Sequence, residues 1–236
     1  MRTPRPSPYG FARSLGPAVC IGLAAWTAVD ARPLSGAQIA QHGSVANGTP
    51  ACQSCHGGAG TPSIDARTPR IAGLDAAYLQ RQLQLFATGQ RRNLAMMQAA
   101  RSLSADNREA VAAYFAGLPA GTPSPTAVSR PVDTAAGRRL AERGRWAANI
   151  PPCASCHAAD GLGVGATSPA LAGQSAAYIE AQLVDWSSGA RSGDPLGLMT
   201  GIARRLRPED RKNVAAYYAS LRTRPVTAPS VAKARR

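Results

Sequence analysis

The sequence is poor in aromatic and in acidic side chains. Phe, Trp and Tyr make up 5% of its 236 residues, which leaves few large side chains to fill an ordinary hydrophobic core. Only 13 Asp and Glu residues face 27 Lys and Arg residues, so the formal net charge is +14. This charge favours acidic protein partners or an anionic membrane surface. The missing aromatic volume indicates that a bulky apolar cofactor fills the interior.

The longest apolar stretch near the N-terminus is too short and too interrupted to span a bilayer comfortably. It covers residues 15–29, is broken by two glycines and a proline, and follows a segment with three arginines. A basic segment, a short apolar stretch and small residues before Arg32 are typical of a secretory signal peptide. We expect residues 1–31 to be removed by cleavage after Ala31, which predicts a periplasmic location. An uncleaved membrane anchor is the alternative.

Cysteine and histidine are scarce, and most of them fall in two short motifs. Cys20 lies in the predicted signal peptide, and the other four cysteines form Cys52-Gln53-Ser54-Cys55-His56 and Cys153-Ala154-Ser155-Cys156-His157. Both fit C-x-x-C-H, the attachment signature of haem c. Two thiols bind the vinyl groups of one porphyrin, and the adjacent imidazole faces the iron. The motifs predict two covalent haem c groups, with His56 and His157 as proximal ligands.

Two other kinds of site share part of this pattern. A four-cysteine zinc site normally has its cysteine pairs about 15 to 20 residues apart, far closer than here, and gives no role to the histidines. A thioredoxin-like redox pair of cysteines occurs in a strand-rich fold, which this sequence does not predict. The remaining histidine, His42, has Arg143 as its counterpart in the repeat described next, so we expect it at the surface rather than on a metal.

An internal repeat places the two motifs in equivalent positions. The second motif follows the first at an offset of 101 residues, Tyr178 follows Tyr78 at 100, and Tyr217 follows Tyr114 at 103. A slowly drifting offset with preserved order indicates a duplicated domain. The predicted organisation is domain 1 at 32–117, a linker rich in Pro, Gly and Ser at 118–131, domain 2 at 132–222 and a basic tail at 223–236.

Both repeats show helical periodicity and no convincing strand alternation, so we predict an all-α fold. In each repeat the first predicted helix precedes the cysteines, and the second covers about residues 74–88 in domain 1. The third helix begins after Ser104, a favourable N-cap, in domain 1, and it has Pro208 in its first turn in domain 2. The apolar helix faces are predicted to surround the haem, since the cofactor would form the core of so small a domain.

Methionine supplies the candidates for the second axial ligand of each iron. Beyond the signal peptide the chain contains only Met96, Met97 and Met199, in predicted loops before the third helices. Met opposite His raises the reduction potential and closes the sixth coordination position. Met199 lies 7 residues before Leu206, and Met96 lies 7 residues before Leu103. We therefore predict Met96 and Met199 as ligands.

Each repeat resembles a class I cytochrome c domain, and the pair resembles cytochrome c4, a family of dihaem periplasmic cytochromes. Besides the motifs, the resemblance is carried by Pro69-Arg70-Ile71-Ala72-Gly73 and Pro169-Ala170-Leu171-Ala172-Gly173-Gln174. It implies two tandem class I domains related by duplication, with haems that face each other across a pseudo-twofold interface. It also implies that the carbonyls of Pro69 and Pro169 orient the proximal imidazoles. The doubled Met96-Met97 and the basic tail depart from the family pattern.

These features predict an electron-transfer protein with no catalytic residues. The leading hypothesis is a periplasmic carrier between a quinol-oxidising complex and a terminal oxidase, acidic or membrane-bound, or another acceptor. The alternative is a dihaem subunit of a periplasmic oxidoreductase such as a flavocytochrome dehydrogenase. An enzyme acting at its own haem would need an open or unusual iron ligand, for which no Cys or repeated His remains. Peripheral membrane contact stays open, whereas no nucleic-acid recognition motif is present.

Overall fold

The structure is a computed structural model that describes residues 34–61, 67–121 and 132–223. The predicted signal peptide, most of the predicted linker and nearly all of the basic tail lie outside these residues. The described part of the chain contains ten α-helices and no β-strand, which confirms the predicted all-α fold. None of these helices combines the length and the apolar character needed to cross a membrane.

The two halves contain the same succession of helices. The first half has α1 (Gly36–His42), α2 (Gln53–His56), α3 (Ala76–Ala87), α4 (Leu94–Arg101) and α5 (Ala105–Ala116). The second half has α6 (Thr134–Arg143), α7 (Ala154–His157), α8 (Ala176–Ser188), α9 (Leu198–Arg205) and α10 (Pro208–Ser220). Short 3-10 turns lie at Val45–Asn47, Trp146–Ala148 and Pro195–Gly197. The sequence repeat is therefore a structural repeat.

Capping side chains explain where several helices begin. The hydroxyl of Ser104 accepts a hydrogen bond of 3.1 Å from the N–H of Asn107, so α5 begins directly after the predicted N-cap. Pro208 occupies the first turn of α10, where a missing N–H costs nothing. The third helix of each repeat thus begins as predicted.

The prediction of a loop before each third helix is wrong, because α4 and α9 occupy those positions. Residues 94–101 read LAMMQAAR, a run of strong helix formers. Asn93 caps this helix by accepting a hydrogen bond of 3.1 Å from the N–H of Met96. The candidate methionines are therefore held by helices rather than by flexible loops.

Repeated glycines let the first and the last helix of each half cross closely. A Cβ on Gly36 of α1 would collide with the carbonyl oxygen of Ala110 in α5. A Cβ on Gly137 of α6 would collide in the same way with Asn213 in α10. The close crossings hold the helices around two separate cores, one in each half. His42 lies at the exposed end of α1, as predicted.

Candidate functional site

Each C-x-x-C-H motif forms one helical turn that ends at its histidine. The N–H of His56 donates to the carbonyl of Cys52 at 3.0 Å, and that of His157 donates to Cys153 at 2.9 Å. The first cysteine of each motif is half-buried, whereas Cys55 and Cys156 are exposed. The turn therefore presents two thiols and a buried imidazole from one short segment.

A proline carbonyl orients each motif histidine. Nδ1 of His56 lies 3.0 Å from the carbonyl oxygen of Pro69, and Nδ1 of His157 lies 2.8 Å from that of Pro169. A carbonyl only accepts, so Nδ1 carries the proton and Nε2 keeps a free lone pair. Burial lowers the pKa of both histidines, which favours the neutral form that binds metals. These contacts are the ones that the resemblance implied for Pro69 and Pro169.

A cavity of about 220 Å³ lies beside His157 in the second half. Its wall includes both cysteines of the motif and Met199. The remaining wall of the second half is largely apolar and includes Ile179, Leu183, Trp186, Ile202, Leu206 and Val214. Leu74 and residues of α3 from the first half complete the wall. The second site is therefore enclosed by both halves of the chain.

Two buried arginines join the halves beside these sites. Arg191 is 7% exposed, and its guanidinium carbon lies 4.5 Å above the Trp186 ring. It donates to Gln182 of its own half at 2.9 Å. It also reaches into the first half, where it donates to the Tyr78 hydroxyl at 3.2 Å and to Gln82 at 3.0 Å.

Arg91 makes the same contacts in the opposite direction. It lies 4.5 Å above the Phe86 ring and donates to Gln82 of its own half at 3.0 Å. In the second half it donates to the Tyr178 hydroxyl at 2.7 Å and to Gln182 at 2.6 Å. Each residue of this network corresponds to its counterpart by an offset of 100 residues. The network is therefore the pseudo-twofold centre of the interface that the resemblance implied.

This site fits a haem c group in three respects. Each motif offers two thiols and an imidazole with a free Nε2, the donor set that haem c requires. The cavity wall is mainly apolar, as a porphyrin face needs. In the described part of the chain neither Arg91 nor Arg191 donates to a carboxylate, and Nε of Arg191 has no hydrogen-bond partner there. Buried cations of this kind suit the anionic carboxylates of a haem.

The helices that carry the methionines have the same register in both halves. Arg108 donates a hydrogen bond of 3.0 Å to the carbonyl oxygen of Ala100 in α4. Arg211 donates at 3.0 Å to that of Ala203 in α9. Both alanines are fully buried, and the two pairs are related by an offset of 103 residues. The fourth residue before each alanine is a methionine, Met96 or Met199 in turn.

Met97, unlike Met96, has no methionine as its counterpart in the second half. Its counterpart at the offset of 103 is Thr200, whose N–H and hydroxyl both donate to Asp194 at 3.0 Å. The methyl carbon of Met97 lies 4.0 Å from the position that a Cβ would take on Gly89, at the end of α3. Met97 thus packs beside the end of α3.

The two interface arginines were not predicted as functional residues. Arg91 and Arg191 recur at an offset of 100, the same offset as the tyrosines at 78 and 178. That shared offset is the signal by which they are found. Their burial depends on how the halves dock, which periodicity within one half does not reveal.

Comparison with known proteins places both halves among cytochromes. Residues 135–222 match the family described as Cytochrome c, and residues 35–115 match the family described as Cytochrome C oxidase, cbb3-type, subunit III. A thiosulfate dehydrogenase electron acceptor from Thiomonas intermedia is 46% identical over 170 residues, covering 72% of this chain and 77% of that protein. Cytochrome c4 from Pseudomonas aeruginosa is 32% identical over 174 residues, covering 72% of this chain and 83% of that protein.

A solved structure extends this likeness to three dimensions. The thiosulfate dehydrogenase TsdBA from Marichromatium purpuratum superposes with a TM-score of 0.72 and 39% identity. The match covers 78% of this chain and 39% of that longer chain. Two tandem cytochrome c domains, each with a C-x-x-C-H motif, bind two covalently attached haem c groups. The chain is therefore an electron-transfer protein.

We expect the purified protein to carry two haems per chain that resist extraction with acid-acetone, because thioether bonds hold them. Replacing Cys153 and Cys156 together by alanine should leave one covalent haem. Ser155→Ala, inside the same motif, should leave two. The pyridine haemochrome absorbance per polypeptide measures the ratio, and a ratio near one in the unaltered protein would contradict the two-haem assignment.

Proposed function

Because the chain belongs to the cytochrome c4-like family of dihaem cytochromes c, we propose that it accepts electrons from a thiosulfate dehydrogenase. The support is the degree of similarity, which is 46% identity to a thiosulfate dehydrogenase electron acceptor but 32% to cytochrome c4. The matched part of TsdBA points to the same partner. This proposal favours the oxidoreductase-subunit alternative over reduction by a quinol-oxidising complex.

The proposed axial ligands are His56 with Met96, and His157 with Met199. Bound haem supplies reversible one-electron chemistry at its iron. The proline carbonyls hold each imidazole with Nε2 free to bind, and Met199 lines the cavity beside His157. The common register of α4 and α9 supports Met96 in the equivalent role. Four side chains that fill the axial positions suit electron transfer without substrate binding.

We propose that the chain is exported and works in the periplasm, in the domain organisation that the repeat predicts. The N-terminal composition supports a signal peptide at residues 1–31, and covalent haem attachment suits an exported protein. Removing that segment takes away three Arg and one Asp and leaves a formal charge of +12. A positive surface accelerates association with an acidic partner. The proposed dehydrogenase is thus expected to present an acidic surface, as is any oxidase that receives the electrons.

Electron transfer from a purified thiosulfate dehydrogenase tests the proposal. The oxidised protein is mixed with thiosulfate and a thiosulfate dehydrogenase from the same organism, and reduction is followed by the rise of the reduced haem absorbance. We expect fast reduction that slows as ionic strength rises, because salt screens opposite charges. Slow reduction by the dehydrogenase, together with fast reduction by a quinol-oxidising complex, would overturn the assigned donor and restore the carrier hypothesis.

A further inference from the structure

One contact breaks the pseudo-twofold symmetry of the interface. Arg70 and Gln174 face each other across the two halves, and at the offset of 100 their counterparts are Ala170 and Leu74. Ala170 packs against the hydrophobic cluster that contains Leu74. One side of the interface therefore has a polar pair where the other side has an apolar pair.

The polar pair is a two-point hydrogen bond between a side chain and the backbone. The N–H of Arg70 donates to Oε1 of Gln174 at 2.9 Å, and Nε2 of Gln174 donates to the carbonyl oxygen of Arg70, also at 2.9 Å. Arg70 is 1% exposed and Gln174 is 3% exposed. A buried amide that satisfies both polar groups of one residue holds that backbone firmly, because each lost bond would leave an unsatisfied buried group.

This backbone belongs to the support of the first motif histidine. The N–H of Arg70 and the carbonyl of Pro69 are the two ends of a single peptide group. That carbonyl accepts the hydrogen bond from Nδ1 of His56 at 3.0 Å. A continuous series of hydrogen bonds therefore runs from His56, through the peptide group between Pro69 and Arg70, to Gln174 in the other half. Hydrogen bonds linked through one peptide polarise each other, so the Gln174 bond strengthens the carbonyl as an acceptor.

Among the residues that the structure describes, no corresponding series of hydrogen bonds supports the histidine of the second half. The carbonyl of Pro169 accepts from Nδ1 of His157 in the same way. The N–H of that peptide belongs to Ala170, and the residue in the place of Gln174 is Leu74, whose side chain has no acceptor. The two histidines therefore donate to equivalent carbonyls, but only the first of these peptide groups has its N–H bonded to a glutamine.

We propose that Gln174 is a positioning residue for His56 and tunes the first haem from the other half of the chain. A stronger hydrogen bond at Nδ1 makes the imidazole a more basic ligand, which favours the ferric state and lowers the reduction potential. Gln174 thus separates the potentials of two otherwise similar haems. The inference rests on the proposed ligation of iron by His56 and His157.

Replacing Gln174 by leucine, the residue of its counterpart, tests this role. We expect Gln174→Leu to shift the midpoint potential of the first haem upward, and to shift the second by less, although Gln174 also lines the cavity beside His157. Gln174→Met, of similar length and without branching, should act in the same direction if leucine packs poorly. Mediated redox titration of the two-haem protein measures both potentials. The haems are assigned by comparison with Met199→Leu, which should lower the potential of the second.

Thr223→Val is the matched control. Thr223 also bonds across the interface, to the carbonyl of Ala120 at 2.9 Å, but this bond does not reach the peptide of either proline. Both potentials should stay unchanged in this variant. Equal shifts of both haems in Gln174→Leu, or no shift while both haems remain attached, would overturn the proposal. The titration uses no dehydrogenase, so a wrong assignment of the electron donor does not affect its result.

Discussion

Replacing Met96 by leucine is expected to remove about half of the absorption band that arises from charge transfer between methionine sulfur and ferric iron, because two haems contribute to it and leucine cannot bind iron. The midpoint potential of the first haem should fall, since methionine ligation stabilises the ferrous state. Absorption spectra of the oxidised protein and a redox titration measure the two effects.

Met97→Leu is the matched control, because it changes the neighbouring thioether in the same helix. Its side chain packs beside the end of α3, near Gly89, so the band and both potentials should be retained. The reverse outcome, with the band lost in Met97→Leu and kept in Met96→Leu, would show that the register of α4 relative to α9 is wrong by one residue.

Replacing Asp210 by asparagine is expected to destabilise the second half by about 2 kcal/mol at neutral pH, because it removes a carboxylate that accepts charge-assisted hydrogen bonds from half-buried Arg145 and exposed Arg207. Asp210 is 8% exposed and accepts hydrogen bonds from Arg145 at 3.1 and 2.6 Å. Arg207 adds further bonds to the same carboxylate. The pair ties the segment before the second motif to α10.

The effect of this substitution should depend on pH. Hydrogen bonds from the two arginines hold the pKa of Asp210 well below its ordinary value, against the opposing effect of burial. The stabilisation is therefore complete above the unfolded pKa of about 4 and declines as the pH falls further. Chemical denaturation at pH 7 and pH 3 measures the difference between Asp210→Asn and the unaltered protein, which should shrink at the lower pH.

Glu209→Gln controls for a general change of charge in the same turn. Glu209 pairs with Arg207 at the surface and its side chain is 57% exposed, so its loss should cost less than about 1 kcal/mol. An equal loss of stability in both variants would contradict the assignment of the effect to the buried carboxylate of Asp210.

The motifs and the repeat could be predicted from the sequence because they rest on local or covalent chemistry. Two cysteines and a histidine at fixed spacing determine where a haem is attached, however the rest of the chain packs. Ser104 and Pro208 mark helix starts for equally local reasons.

Two helices, α4 and α9, were wrongly predicted as loops. Residues 94–101 are strong helix formers, but we expected the methionine ligand to lie in a loop before the third helix.

Features that depend on packing between the halves were not predicted. The buried pair Arg91 and Arg191 would be exposed cations in an isolated half. Only the docked arrangement adds the tyrosine hydroxyl and the second glutamine to which each of them donates.

The network of Arg91 and Arg191 has the geometry of a symmetric homodimer, in which one surface patch pairs with an identical copy of itself. In a true homodimer both copies of a position must carry the same residue, so a polar contact on one side always recurs on the other. A fused chain is free of that constraint, since each copy mutates independently. The pairing of Arg70 with Gln174, opposite Ala170 and Leu74, is open only to such a chain. Fusion thus permits two equal electron sites to become a directed pair.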